Sequence, residues 1–363
     1  MPQAWIAGKP ATLEAAIVEA ARLLRASRLP LIAGLGTDVA GARAAIALAE
    51  RAGAAIDHMH SGALLRELDV MRSSGVTLTT PGETAVRADT LLFVGTGVAE
   101  AWAATQQKRR DGGAGRRVFR LCPGRSPAPL GAGATAVTAV GKKAEELPAV
   151  LAVLRAHIAG RPTGEHGPSA KALREIAAEL KAARFGVAIW SAATLDALAI
   201  EMLCGLVNDL NATTRFSALP LPPADNAVGV LQTCGWMTGM PMRTGFGRGF
   251  PEHDPWLFDG RRLAQSGEAD CVVWISAYGT PAPQWAAPTI ALTRQAASTT
   301  FAATPRVCIE VGCPGVDYAG VEYLPQIGTL AHVEAAKPSE AVSAANVIAR
   351  LASALFGDGA WPC

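Results

Sequence analysis

Charge is scarce in this chain of 363 residues. Asp, Glu, Lys and Arg together make up 18%, against about 25% in an average globular protein. The net charge is only +2. Without a basic stripe there is no electrostatic footing for a nucleic-acid partner. The one basic cluster, Lys108-Arg109-Arg110 with Arg116-Arg117, flanks the glycine loop 111–115 and reads as a solvated turn. No run approaches ~18 uncharged apolar residues, so no helical membrane span is expected. The chain opens MPQAWIAGKP, without the basic and apolar leader of a secreted protein. Seven cysteines, an odd number with no CxxC, fit reduced thiols in the cytoplasm better than a disulfide framework. The GxSxG elbow, the P-loop and HExxH are also missing.

What is present is apolar. Half the residues are hydrophobic, partly through alanine, which packs helices without demanding deep burial. A surface this poor in charge is easiest to understand if other subunits cover part of it. Length suggests about two domains. Apolar periodicity and turn residues predict helices over 13–26, 39–52, 98–108, 140–158, 170–183, 195–210, 257–266 and 339–355, with a short one from Pro81. Strands are expected at 31–33, 54–57, 90–94, 117–121, 186–190, 215–219, 271–275 and 306–311. The alternation predicts an α/β fold of two Rossmann-like, mainly parallel-sheet units. The Gly- and Pro-rich stretch 159–170 is the expected linker, between a domain over 1–160 and a second over 170–363.

Three constellations invite a chemical reading. Gly34-x-Gly36 follows a strand and precedes a helix, and Asp57 ends the next strand, as in a dinucleotide fingerprint. The third glycine is displaced to Gly41, and any tight strand-to-helix turn uses similar glycines. His58 and His60 form an HxH pair at a strand end. A metal site needs three or four supported ligands, and none of the four other histidines stands at a recognisable strand end, so the two read as polar loop residues. The cysteines have no histidine placed to activate them as nucleophiles.

The segment 226–260 carries six glycines from Gly235 onward and is rich in methionine and aromatic residues. Such a run is expected to be an ordered irregular loop, too apolar for a solvated one. Trp236, Met237, Met240, Met242, Phe246, Phe250 and Trp256 are its candidate anchors, facing either a ligand cavity or a partner, with a partner favoured. No catalytic, cofactor-binding or metal-ligating residue is assigned.

Three phrases lie in order along the chain: the stretch 4–58 from AWIAGKPATLEAAIVEA to ERAGAAIDH, RADTLLFVGTG (87–97) and GWMTGMPMRTGFGRGFPEHDP (235–255). Together they resemble the B subunit of formylmethanofuran dehydrogenase, in the molybdopterin oxidoreductase superfamily, and above all its bacterial form in the formyltransferase/hydrolase complex of methylotrophs. The resemblance implies that fold without its iron–sulfur domain, since the chain starts at the family's GKPA-like phrase. It also implies a lost redox centre. The metal-ligating position falls near 62–64, where no cysteine stands, and Cys122-Pro123-Gly124-Arg125 replaces the family's acidic phrase. The phrase 320–328 lacks the family's Arg-Met-Asp ending. The chain is then a structural subunit that binds no cofactor. The implied partners are a zinc hydrolase (the A subunit), a β-helical protein (the C subunit) and a formyltransferase (the D subunit). Zinc and methylofuran are expected in those partners.

Overall fold

The computed structural model describes residues 3–106, 115–124, 134–141, 143–163 and 170–357. In chain order they form β1 (Ala4–Ile6), β2 (Lys9–Ala11), α1 (Leu13–Ala26), β3 (Pro30–Gly36), α2 (Val39–Ala52), β4 (Ala55–His58), α3 (Ser61–Ser74), α4 (Pro81–Arg87), β5 (Thr90–Val94), α5 (Val98–Gln106), β6 (Arg116–Leu121), β7 (Ala134–Val140), α6 (Leu147–Ile158) and α7 (Ala170–Lys181). The second half adds β8 (Gly186–Trp190), α8 (Ala197–Leu210), β9 (Phe216–Pro220), α9 (Ala227–Thr238), β10 (Thr244–Gly245), β11 (Glu252–His253), α10 (Gly260–Ser266), β12 (Cys271–Ser276), β13 (Thr289–Thr293), β14 (Val307–Glu310), β15 (Gly320–Leu324), β16 (Thr329–Val333) and α11 (Ala344–Phe356). Helix starts follow side-chain chemistry: Thr12, Asp38, Thr80, Asp196 and Ser343 each accept a hydrogen bond from a backbone N–H in the first turn.

The chain folds into two compact units. The first comprises the residues up to Leu65, Ala224–Tyr323 and those from Leu330 on. Its nine-stranded sheet runs β11-β10-β4-β3-β12-β13-β14-β1-β2, with β4, β3, β12, β13 and β14 parallel and antiparallel strands at both edges. Strands covered on both faces read as unbroken apolar runs, and β3 and β12 are buried throughout. One face packs Ile32, Val273, Ile275 and Leu292 against Ile17, Ile46, Val230 and Leu351 of α1, α2, α9 and α11. The other packs Leu31, Ala33, Val272 and Trp274 against Leu263 and Ala264 of α10.

The second unit comprises Arg66–Pro223 and Leu324–Thr329. Its five-stranded sheet, β7-β6-β5-β8-β9, is parallel throughout. The α/β expectation with parallel sheets holds in both units. The domain boundary at 159–170 does not. Strands β5 to β7 precede that stretch and β8 and β9 follow it, yet all five pair in one sheet. The stretch is therefore a connection inside one unit, and its residues 164–169 lie outside those described. So do Lys108, Arg109 and Arg110.

Four local expectations change as well. The helix at 140–158 is a strand ending at Val140, then Gly141 at φ +75° and α6. A helix, α3, fills the interruption at Ser61. Strand β13 emerges from a Pro-rich stretch that hides it. The segment 226–260 is not wholly irregular, because α9 occupies its first third. Proline is absent from 227–238, and Val230 and Cys234, one turn apart, give the helix a buried stripe. Gly239, left-handed at φ +74°, ends it.

Candidate functional site

In the first unit, β3 leads through α2 to β4 on one side, while its other neighbour β12 leads towards β13. That reversal makes the carboxyl ends of β3 and β12 the switch point of the sheet, where open α/β sheets place ligand crevices. A cavity of about 530 Å³ lies there, within the range of small-molecule sites. Its walls include Gly34, Asp57, Arg243, Arg261, Trp274 and Trp285.

Asp57, the last but one residue of β4, stands in the wall. Its Oδ2 accepts from Gly260 N at 2.8 Å and lies 3.6 Å from Arg243 Nε. Its Oδ1 has no hydrogen-bond partner. Burial pushes the carboxyl up to about 7, against the favourable influence of the Ser61 hydroxyl, Gly260 N–H and Arg243. Arg243 sits in the left-handed region at φ +62°, a conformation that costs an ordinary residue ~1–2 kcal/mol. From there its Nη2 reaches Asp259 Oδ2 at 2.5 Å and its Nη1 donates to Pro255 O at 2.6 Å. Arg243→Met removes the charge shared by two carboxylates and is expected to lower stability by about 2 kcal/mol, read as a fall in urea midpoint at pH 8.

The glycine turn does not fit a pyrophosphate. A Cβ on Gly34 would stand 2.6 Å from Ile275 O and 3.0 Å from the Trp274 ring, so this glycine answers to the neighbouring strand. Gly36 is already approached by Met59, Asp225 and Tyr278. The start of α2, where a phosphate would rest, is taken by the Asp38 carboxylate, which accepts from Gly41 N at 2.9 Å. Asp57 turns to Gly260 and Arg243 and not to a ribose.

His58 and His60 come together with Asp225. The Nδ1 of His58 accepts from His60 N at 3.0 Å, so its Nε2 carries the proton and donates to Asp225 O at 3.1 Å. Burial drives its pKa down to about 4 and keeps the ring neutral. Both ring nitrogens are thereby engaged, leaving no lone pair for a metal. His60 Nε2 lies 3.1 Å from Asp225 Oδ2, and this hydrogen bond holds the Asp225 carboxyl below the usual range. Asp225 and Asn226 are both left-handed, at φ +58° and +55°. Asn226 Nδ2 donates to Thr37 O and its Oδ1 accepts from Tyr323 N, each at 2.8 Å, which pins the pair.

At 62–64, where the resemblance puts the metal ligand, stand Gly62, Ala63 and Leu64. They supply no thiolate, and among the described residues no three His, Cys, Asp or Glu side chains cluster to hold an ion. This donor set does not fit a molybdenum or tungsten centre.

The seven candidate anchors separate. Met242 and Phe246 are buried in the core with Ile46 and Val230, which removes them as partner contacts. Apolar packing claims them, and burying a side chain of this size contributes ~2 kcal/mol to folding. Met240 is half-buried. Trp256 keeps 69% of its surface exposed, Trp236 54%, Phe250 48% and Met237 37%. Arg262 lies 4.3 Å over the Trp256 ring and Arg248 5.1 Å over Phe250, so both rings are held in place while exposed. Sequence reasoning missed the cavity-lining Arg261, Gln265, Gln284 and Trp285, because only the order of the strands gathers them.

No family model matches the chain. It is 36% identical over 368 aligned positions to the Fhc B subunit of the formyltransferase/hydrolase complex of Methylorubrum extorquens, covering 98% of this chain and 99% of that protein. It is 29% identical to the B subunit of the tungsten-containing formylmethanofuran dehydrogenase 2 of Methanocaldococcus jannaschii, over 74% of this chain and 65% of that one. The fold matches a chain of the crystal structure of the FhcABCD complex of Methylorubrum extorquens with methylofuran. There the TM-score is 0.84, at 35% identity over 97% of this chain and 98% of that one. The chain belongs to the family of B subunits of formyltransferase/hydrolase complexes.

Proposed function

We propose that this chain is the structural B subunit of a formyltransferase/hydrolase complex and carries no catalytic centre of its own. The observation that carries this reading is the similarity, over nearly the whole of both chains, to a component of the FhcABCD complex. In such a complex a formyl group passes from tetrahydromethanopterin to methylofuran, and water then cleaves formyl-methylofuran to formate. In this reading the D subunit performs formyl transfer, the A subunit performs zinc-dependent hydrolysis, and the β-helical C subunit joins them. Zinc and methylofuran are held by those partners. Among the described residues no helix is long and apolar enough to cross a membrane, and the reading puts the assembly in the cytoplasm.

Trp236, Met237, Met240, Phe250 and Trp256 are the docking anchors in this reading. Exposed tryptophans and methionines carry much of the binding energy where subunits meet. Co-expression with the A, C and D subunits is expected to yield one large assembly containing this chain. Replacing Phe250 and Trp256 together by Asp lowers its recovery in that assembly at least about tenfold, with the urea midpoint of the isolated chain unchanged. A wild-type chain that stays a lone monomer beside its partners overturns the assembly reading. Full recovery of the double variant removes only these anchors.

A further inference from the structure

Residues 254–257 are exposed one after another between β11 and α10. An exposed turn is ordinarily mobile, yet the backbone of this one is tied down group by group. Asp254 Oδ1 accepts from Leu257 N at 2.7 Å and from Trp256 N at 2.8 Å, and these bonds hold its carboxyl below the usual range. The carbonyls meet two arginines. Pro255 O accepts from Arg243 Nη1 at 2.6 Å, Trp256 O from Arg262 Nε at 3.0 Å and Leu257 O from Arg262 Nη2 at 2.7 Å. Phe258 ends the turn with its ring in the space that a Cβ on Gly245 would occupy.

Trp256 is what this frame displays. Its indole is 69% exposed, yet Arg262 fixes it from one side, with the guanidinium 4.3 Å from the ring centroid. Among the described residues, each charge that bonds to the turn is matched inside the chain. Arg243 is paired with Asp259, Arg262 with Glu268, and Asp254 with the two N–H groups. The turn therefore offers no free charge to a phosphate-rich surface, and a surface that covers it needs no counter-charge. The complementary surface is an apolar pocket for an indole. A large aromatic held in one place before contact is well suited to be an interface hot spot, because its ordering is met during folding and not at association.

We propose that the turn 254–257 is a preformed knob for an uncharged apolar pocket on a partner subunit, and that Asp254 and Arg262 are positioning residues that set its affinity through Trp256. The proposal rests on the assembly reading and deepens it: the order of the turn before contact, beyond its exposure, decides how tightly the chain is held.

Competition within the assembly tests this. A tagged variant and an untagged wild-type chain are co-expressed with the A, C and D subunits, and their ratio in the purified assembly gives the relative affinity. Trp256→Ala is expected to lose at least about tenfold to wild type. Asp254→Ala and Arg262→Met lose about fivefold each. Asp254→Asn keeps an acceptor oxygen for the two N–H groups and stays within about twofold of wild type. On a Trp256→Ala background, Asp254→Ala adds less than about twofold, because it acts through the indole. Amide exchange in 254–258 quickens in Asp254→Ala while the urea midpoint stays put, so a loss of affinity is not a loss of fold. Wild-type recovery of Asp254→Ala, an Asn variant as weak as the Ala variant, or an undiminished loss on the Trp256→Ala background overturns the positioning role. Self-association of the isolated chain that Trp256→Ala abolishes, read by light scattering, would put a second copy on the knob and overturn the partner subunit. A wild-type chain that enters no assembly removes the assembly reading and this proposal with it.

Discussion

Gly34→Ala lowers the stability of the first unit by about 3 kcal/mol, whereas Gly36→Ala costs less than about 1 kcal/mol. The two glycines look equivalent in the sequence, two positions apart in one turn. Their surroundings differ. Between β3 and β12 the register pairs Ala33 with Trp274 and Gly36 with Ser276, so Gly34 and Leu35 together face Ile275. This is a β-bulge, two residues opposite one. Both bulged residues are left-handed, Gly34 at φ +77° and Leu35 at φ +57°. An alanine at 34 meets the left-handed penalty of ~1–2 kcal/mol. Its Cβ also stands 2.6 Å from a backbone oxygen in the middle of the sheet, where neither strand can yield without losing pairing. At Gly36 the nearest atom is the terminal methyl of Met59, 3.2 Å away, and φ is ordinary; a flexible side chain moves aside at small cost. Urea midpoints followed by hydrogen exchange of peptides from β3 and β12 check the contrast. Equal, large losses at both positions would instead fit a turn whose two glycines share one demand, as a phosphate-binding turn does.

The same turn shows what the sequence could and could not express. Strands covered on both faces were legible because burial leaves an uninterrupted apolar run, as in Pro30–Gly36 and Cys271–Ser276. Helices such as Leu13–Ala26 and Val39–Ala52 were legible through their apolar periodicity. The division into units was not, since it depends on which strands pair: a Gly- and Pro-rich stretch reads as a linker whether it joins two domains or two strands of one sheet. Gly34 and Asp57 stand out in the sequence as a dinucleotide pattern, and both do lie in the cavity wall. That chemistry does not fit them, for a local reason in each case. Gly34 is required by Ile275, more than two hundred residues away, and Asp57 is turned away by Gly260. The anchors divided by burial for a related reason. Met242 and Phe246 flank the two-residue strand β10, which pairs with β4 and draws them into the core. The strand is too short to leave a periodic signal. The left-handed Arg243 left no trace at all, because arginine carries no preference for that conformation.

Glu67→Gln stabilises the second unit at pH 8 by about 3 kcal/mol and leaves it nearly unchanged at pH 4. Glu67 is buried, and its Oε1 accepts from the indole N–H of Trp190 at 2.8 Å. Burial pushes its carboxyl from 4.5 up to about 7, and the indole hydrogen bond only partly opposes this. Below pH 4.5 the folded and unfolded chains both carry the proton. Between 4.5 and 7 the folded chain keeps a proton that the unfolded chain has lost, so stability falls as pH rises, and the loss is complete above 7. Glutamine keeps the shape and the acceptor for Trp190 but has no proton to lose. The variant therefore escapes the slope, and the difference between the two proteins opens through that window. Asp57, also raised to about 7, adds a slope of the same sign. His58, lowered to about 4, adds one of opposite sign, since it binds its proton more weakly when folded. Both lie in the first unit and are unaltered in the variant, so the difference curve cancels them. Trp190 is fully buried beside Glu67, and hydrogen exchange of peptides from β8 and β9 reports the second unit even if the two units unfold separately. Parallel stability curves for the two proteins from about pH 4 to 8 would mean that Glu67 titrates alike in the folded and unfolded chains. Its carboxyl would then be answered by water, and not held neutral against Trp190 within the apolar packing of the sheet.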